Sequence, residues 1–135
     1  MREILFRGKR LDNGEWVYGN LMRYANGDAE IWEIFNPDID TDCRDWVIIP
    51  DTVGQYTGLK DKNGVKIFEG DVINREYFWG YYIGYKDGSF VKIPLDKVQR
   101  INWDWTPINQ EFLNDWEVVS NIHDNPELLE VLGDE

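Results

Sequence analysis

A mainly β fold, a small antiparallel barrel or sandwich with a short C-terminal helix, is what this 135-residue chain predicts. Three observations carry it. Asn13-Gly14, Asn26-Gly27, Asn63-Gly64 and Asp87-Gly88 tolerate the positive φ angles of tight hairpins. The runs between them are rich in β-branched and aromatic residues, which suit a pleated, half-buried surface. These runs also follow one another at close spacing, as strands of a small all-β domain do.

Taken in order, strands are expected over 3–9, 15–24, 28–35, 46–49, 52–59, 65–68, 71–77, 80–86 and 89–94. Their alternation is imperfect: in the second run Trp16, Tyr18 and Leu21 are set against Val17 and Asn20. Within QYTGLKDKNGVKIFEGDVI, Lys60 to Gly64 supplies short polar residues and a glycine for a hairpin loop. Glu69-Gly70-Asp71 reads as a bulge or sharp bend at a barrel corner, where the Asp accepts hydrogen bonds from freed backbone amides. In the tail, Asn125 suits an N-cap, Pro126 the first helical position and Glu127 the positive end of the helix dipole. Leu128, Leu129 and Leu132 then share an apolar stripe that ends at Gly133.

The chain has the length of one domain, 1–135, without repeats or a linker. Its formal charge of −12 is uneven: residues 1–67 hold 12 acids and 9 bases, residues 68–135 hold 14 and 5. Binding a phosphate backbone needs Lys and Arg that displace counterions, so nucleic acid is a disfavoured partner. The local cluster Arg2, Arg7, Lys9 and Arg10 is the one candidate basic patch. A lone Cys43 leaves no internal disulfide, and no apolar run approaches a membrane span, which fits a cytoplasmic protein.

Three segments, MREILFRGKRLDNGEWVYGNL, IPDTVGQYTGLKDKNGVKIFEGDVI and WEVVSNIHDNPELL, together resemble the YopX-like family of small phage and prophage proteins. The resemblance spans nearly the whole chain in the family's order. It implies an all-β fold, a phage or prophage origin and the bacterial cytoplasm, and it carries over no catalytic residue. Ser120 stands where the family pattern leads one to expect glycine, a departure confined to a turn.

Chemistry finds few candidates. The single His123 has Ser120 and Asp124 near it in sequence, but a triad needs a geometry that neighbours in a turn rarely reach. Cys43 is flanked by Asp42 and Asp45, which disfavour a thiolate. Asp38, Asp40 and Asp42 begin like a calcium loop, yet Cys43 and Ile49 occupy the positions of its glycine and closing Glu. Glu69 with Asp71, and Glu111, Asp115 and Glu117 beside Trp103, Trp105 and Trp116, are the carboxylate sets a small hydrolase would use. Solvated acids and core Trp are the simpler reading of both.

The densest aromatic run, YFWGYYIGY over 77–85, sets Trp79, Tyr81 and Tyr85 on one face and Phe78, Tyr82 and Ile83 elsewhere. Both faces being apolar points to a strand covered by the core and by a second subunit. The expected function is therefore a non-catalytic protein-interaction module without cofactor or metal. Its partner is itself or a host or phage protein. The alternatives are a nucleic-acid-associated regulator using the N-terminal cations and a carboxylate hydrolase.

Overall fold

The computed structural model describes residues 3–34, 43–76 and 78–131, without the side chains of Ile34, Cys43, Phe78, Trp79, Lys97, Glu130 and Val131. The expectations placed on Arg2, on the acidic run 38–42, and on Leu132 and Gly133 lie outside the described residues. The chain divides into two compact units, Met1–Tyr56 and Thr57–Glu135.

In the first unit, β1 (Phe6–Lys9), β2 (Trp16–Arg23), β3 (Ala29–Ile34) and β4 (Cys43–Ile48) form a sheet in the order β4-β3-β2-β1. The first residues of β5 (Gly54–Lys60) pair with β1 on its other side, Phe6 opposite Gln55 and Arg7 opposite Gly54. A 3₁₀ turn at Pro50–Thr52 precedes β5, so the strand expected from 52 starts later. Proline at the start of that turn fixes φ where no amide donor is needed.

β2 serves two ladders. Its first half, Trp16 to Gly19, pairs with β1, and its second half, Asn20 to Arg23, pairs with β3. Gly19 stands at the change of partner, where a Cβ would lie 2.1 Å from the Trp32 carbonyl oxygen. Inward-facing Val17, Ala29, Ile31 and Ile48 form the core, joined by Phe6, Leu21, Trp46 and Val53. Leu21 thus shares a face with Val17 and not with Trp16 and Tyr18, because strict two-residue alternation governs the strand.

The second unit contains the rest of β5, β6 (Lys66–Phe68) beside it, and a sheet β10-β7-β8-β9. Those strands are β7 (Asp71–Arg75), β8 (Phe78–Lys86), β9 (Ser89–Pro94) and β10 (Glu117–Asn121). Asp87 and Gly88 take φ of 53° and 82° between the paired residues Lys86 and Ser89. Positive φ at both loop positions matches the turn to the right-handed twist of the strands. Short helices α1 (Lys97–Arg100), α2 (Gln110–Leu113) and α3 (Leu128–Val131) follow, with Asp96 and Asn109 capping the first two. Ile67, Ile73, Ile83, Leu113 and Trp116 form this unit's core.

The mainly β, antiparallel architecture is as expected, and all four Gly-containing dipeptides sit in connections between successive strands. The barrel is not: among the described residues both sheets are open. In the first unit Arg10 makes a single bridge to Ile48, with the Ile49 N–H donating to the Lys9 carbonyl and the Leu11 N–H to the Val47 carbonyl. A full ladder is not formed there. β10, α1 and α2 were not anticipated, and the terminal helix is one turn. Among the described residues no helix is long and apolar enough to cross a membrane.

Candidate functional site

The predicted basic patch is the first set to place. Arg7 is buried, its guanidinium 4.5 Å from the centre of the Trp16 ring, with the Lys9 ammonium 5.6 Å from the same ring. Arg10 lies 3.9 Å over Trp46 and donates to Asp12 at 2.7 and 2.9 Å. The Asp12 hydrogen bond raises the Arg10 pKa and, reciprocally, lowers that of Asp12. The structure does bring Arg7, Lys9 and Arg10 together around the end of β1, but seats them on aromatic rings. They do not form an open cationic surface.

The aromatic strand β8 separates likewise. Tyr81 is drawn into the second unit's core, its ring 5.2 Å from Trp116, 5.5 Å from Trp103 and 6.2 Å from Phe112. Tyr85 is 58% exposed and meets Phe90 edge-on. The side chain of Trp79 is outside the described residues. Ile83 packs in the same core as Tyr81, since residues two apart share a strand face, which corrects its placement with Phe78 and Tyr82. Trp79, Tyr81 and Tyr85 therefore do not assemble as one exposed patch from the residues described.

Burial raises the Tyr81 phenol pKa above its ordinary value of 10.0. A folded-state pKa raised above the unfolded one gives stability that is full below pH ~10 and falls as pH rises through the folded pKa. We expect urea midpoints flat to about pH 10 and declining beyond, with part of the decline removed in Tyr81→Phe. An identical decline in that variant would assign the loss to other groups.

The carboxylate sets serve structure or solvent. Asp71 is buried and its Oδ2 accepts the Phe68 amide at 2.8 Å, tying the turn at Gly70, whose φ is 89°. Glu111 and Asp115 are exposed, and Glu117 lies 3.9 Å from Lys62. Trp103 donates its indole N–H to the Lys92 carbonyl at 2.6 Å, and Trp116 is buried. Ser120 shares a hydrogen bond with Asn125, and Asn121 Oδ1 accepts the amides of His123 and Asp124. His123 instead lies against Gly70, where an added Cβ would meet its Nε2 at 3.2 Å.

The surface that sequence reasoning missed is the outer face of β2-β3-β4. Register places Asn20, Trp32 and Asp45 in one row and Met22, Glu30 and Val47 in the next. Residues directly opposite share a face, so these six side chains lie together, opposite the core. Tyr18, Met22, Tyr24, Trp32 and Val47 are 37% to 49% exposed. Glu30 Oε1 accepts both the Tyr24 hydroxyl at 2.8 Å and the Trp32 indole N–H at 3.2 Å. That hydrogen bond raises the Tyr24 pKa. Val47 also lines a hollow of about 360 Å³ with Leu11, Asp12 and Trp46. The signal was present in sequence as Tyr18, Asn20 and Met22 at period two, with the core residues Val17 and Leu21 on the alternate positions.

A mainly β chain of two compact units, with an exposed aromatic sheet face and buried structural carboxylates, is the class these observations define. Residues 5–130 match the family model described as YopX protein, and the chain belongs to that family. Among solved structures it is similar to the crystal structure of protein EF1440 from Enterococcus faecalis. The two share 26% identity and a TM-score of 0.55, covering 96% of this chain and 100% of that one. No curated protein matches.

Proposed function

We propose that this chain is a non-catalytic phage or prophage accessory protein of the bacterial cytoplasm that acts through protein contacts, with a host or phage protein or with itself. The observation that carries it is the outer face of β2-β3-β4, where Tyr18, Met22, Trp32 and Val47 stand exposed on one sheet face. Exposed apolar residues gathered on one face, edged by polar ones, mark interaction surfaces more often than scattered ones do. Aromatic residues anchor such contacts because they bury large area at little entropic cost.

The test is an affinity pull-down from bacterial lysate with the wild-type protein and with Trp32→Ala, each with and without nuclease. A defined protein retained through nuclease by the wild type and lost with Trp32→Ala supports the reading. Retention that collapses with nuclease, or is indifferent to Trp32, overturns it.

A further inference from the structure

The outer face of β2-β3-β4 is chemically lopsided. Its six central positions hold Asn20, Met22, Glu30, Trp32, Asp45 and Val47, two acids and no base. Glu30 spends Oε1 on Tyr24 and Trp32 and is half-buried, while Asp45, level with Trp32, is exposed. Among the described residues neither acid is within ion-pair distance of a cation of this chain.

Elsewhere the protein fills its rings with its own cations: Arg7 over Trp16 at 4.5 Å, Arg10 over Trp46 at 3.9 Å, Lys86 over Trp105 at 4.1 Å and Lys92 over Phe112 at 4.5 Å. Among the described residues no cation of the chain sits over Trp32 or Tyr24. A carboxylate holds both of those side chains instead. An aromatic face with carboxylates beside it attracts ammonium or guanidinium twice, through the ring quadrupole and through charge. The apolar neighbours Met22 and Val47, and the hollow beyond Val47, fit the aliphatic part of a peptide.

We infer that this face docks a Lys- or Arg-bearing apolar segment of a protein partner, its cation seated on Trp32 and Tyr24 between Glu30 and Asp45 and its apolar residues on Met22 and Val47. The inference rests on the reading of this face as the contact surface and adds the chemistry of the occupant. Nucleic acid fits poorly, because the six central positions present two acids and no base, and Arg7 and Lys9 of the adjoining β1 lie over Trp16.

The test pans a random heptapeptide library against the immobilised full-length protein, with Trp32→Ala, Glu30→Gln and Tyr85→Ser as parallel baits. Thermal unfolding establishes that each variant is folded. Peptides enriched on the wild type are expected to pair Lys or Arg with aliphatic residues. A selected peptide should bind about tenfold more weakly to Trp32→Ala and about threefold more weakly to Glu30→Gln, and unchanged to Tyr85→Ser. Selection of neutral apolar peptides that ignore Glu30→Gln overturns the cationic occupant and leaves the contact surface standing. No enrichment over Trp32→Ala overturns both. A dimer in analytical ultracentrifugation that Trp32→Ala dissolves puts a second copy on the face and overturns the inference as well.

Discussion

Asp61→Ala should lower the stability of the second unit by about 3 kcal/mol, the loss expected when a buried charged acceptor is removed from several amides. Asp61 is 5% exposed, and its carboxylate accepts three backbone amides. Oδ1 takes Asn63 N–H at 2.8 Å and Val65 N–H at 2.9 Å, which shapes the hairpin between β5 and β6. Oδ2 takes Val118 N–H at 2.9 Å, which ties that hairpin to β10, 57 residues away in sequence. Alanine leaves all three donors without this acceptor, and the folded unit must either bury them or open to water. Asp61→Asn keeps the carbonyl for the hairpin but turns an amide donor toward the Val118 N–H, so it should recover part of the loss. Urea denaturation followed by Trp fluorescence reads the series. An Asp61→Ala midpoint shift equivalent to less than ~0.5 kcal/mol, the range of an ordinary surface change, would show that the three bonds are dispensable.

Gly19→Ala should destabilise the first unit by about 3 kcal/mol or prevent its folding, at or above the top of the usual range for one added methyl in a core. The reason is the atom it meets. A Cβ there lies 2.1 Å from the Trp32 carbonyl oxygen, 2.8 Å from its carbon and 3.3 Å from the Glu33 Cα, all backbone of β3. A side chain could rotate away, but a strand in a ladder cannot. Gly14→Ala is the control: its φ is 75° but nothing lies within 4 Å of the added Cβ. Backbone strain alone, about 1 kcal/mol, is then expected. Equal costs at the two positions would mean that β2 and β3 separate freely at Gly19.

Much of the strand pattern was legible because its signals are local. Asp87-Gly88 dictates a two-residue turn whatever surrounds it, and Ser89 to Pro94 was placed to the residue. The same holds for Asp71, whose bond to Phe68 N spans three residues. β10 was missed because Glu117 to Asn121 has no turn dipeptide before it, and its place beside β7 depends on pairings more than 40 residues apart. The two short helices between β9 and β10 went unread for a related reason. Helices of four residues gain little from propensity and are held by caps such as Asp96 and Asn109 and by packing.

The candidate site divides in the same way. Tyr81 and Tyr85 look alike in sequence, yet one enters the core and the other stays exposed, since α2 and the residues around it supply Phe112 and Trp116 to cover only Tyr81. Arg7, Lys9 and Arg10 read as a basic patch until Trp16 and Trp46 are seen beneath them. Charge and residue type are written in the sequence, but whether a cation faces water or a ring is a property of neighbours brought from other strands.

By itself, then, the sequence determined the β class, the four hairpin turns and the family, because turn chemistry and short-range pattern act over a few residues. Only the tertiary structure decided which glycine stands where two strands come close and which carboxylate is a buried tie. It alone decided which aromatic sheet face stands exposed, because register across strands sets what each side chain touches.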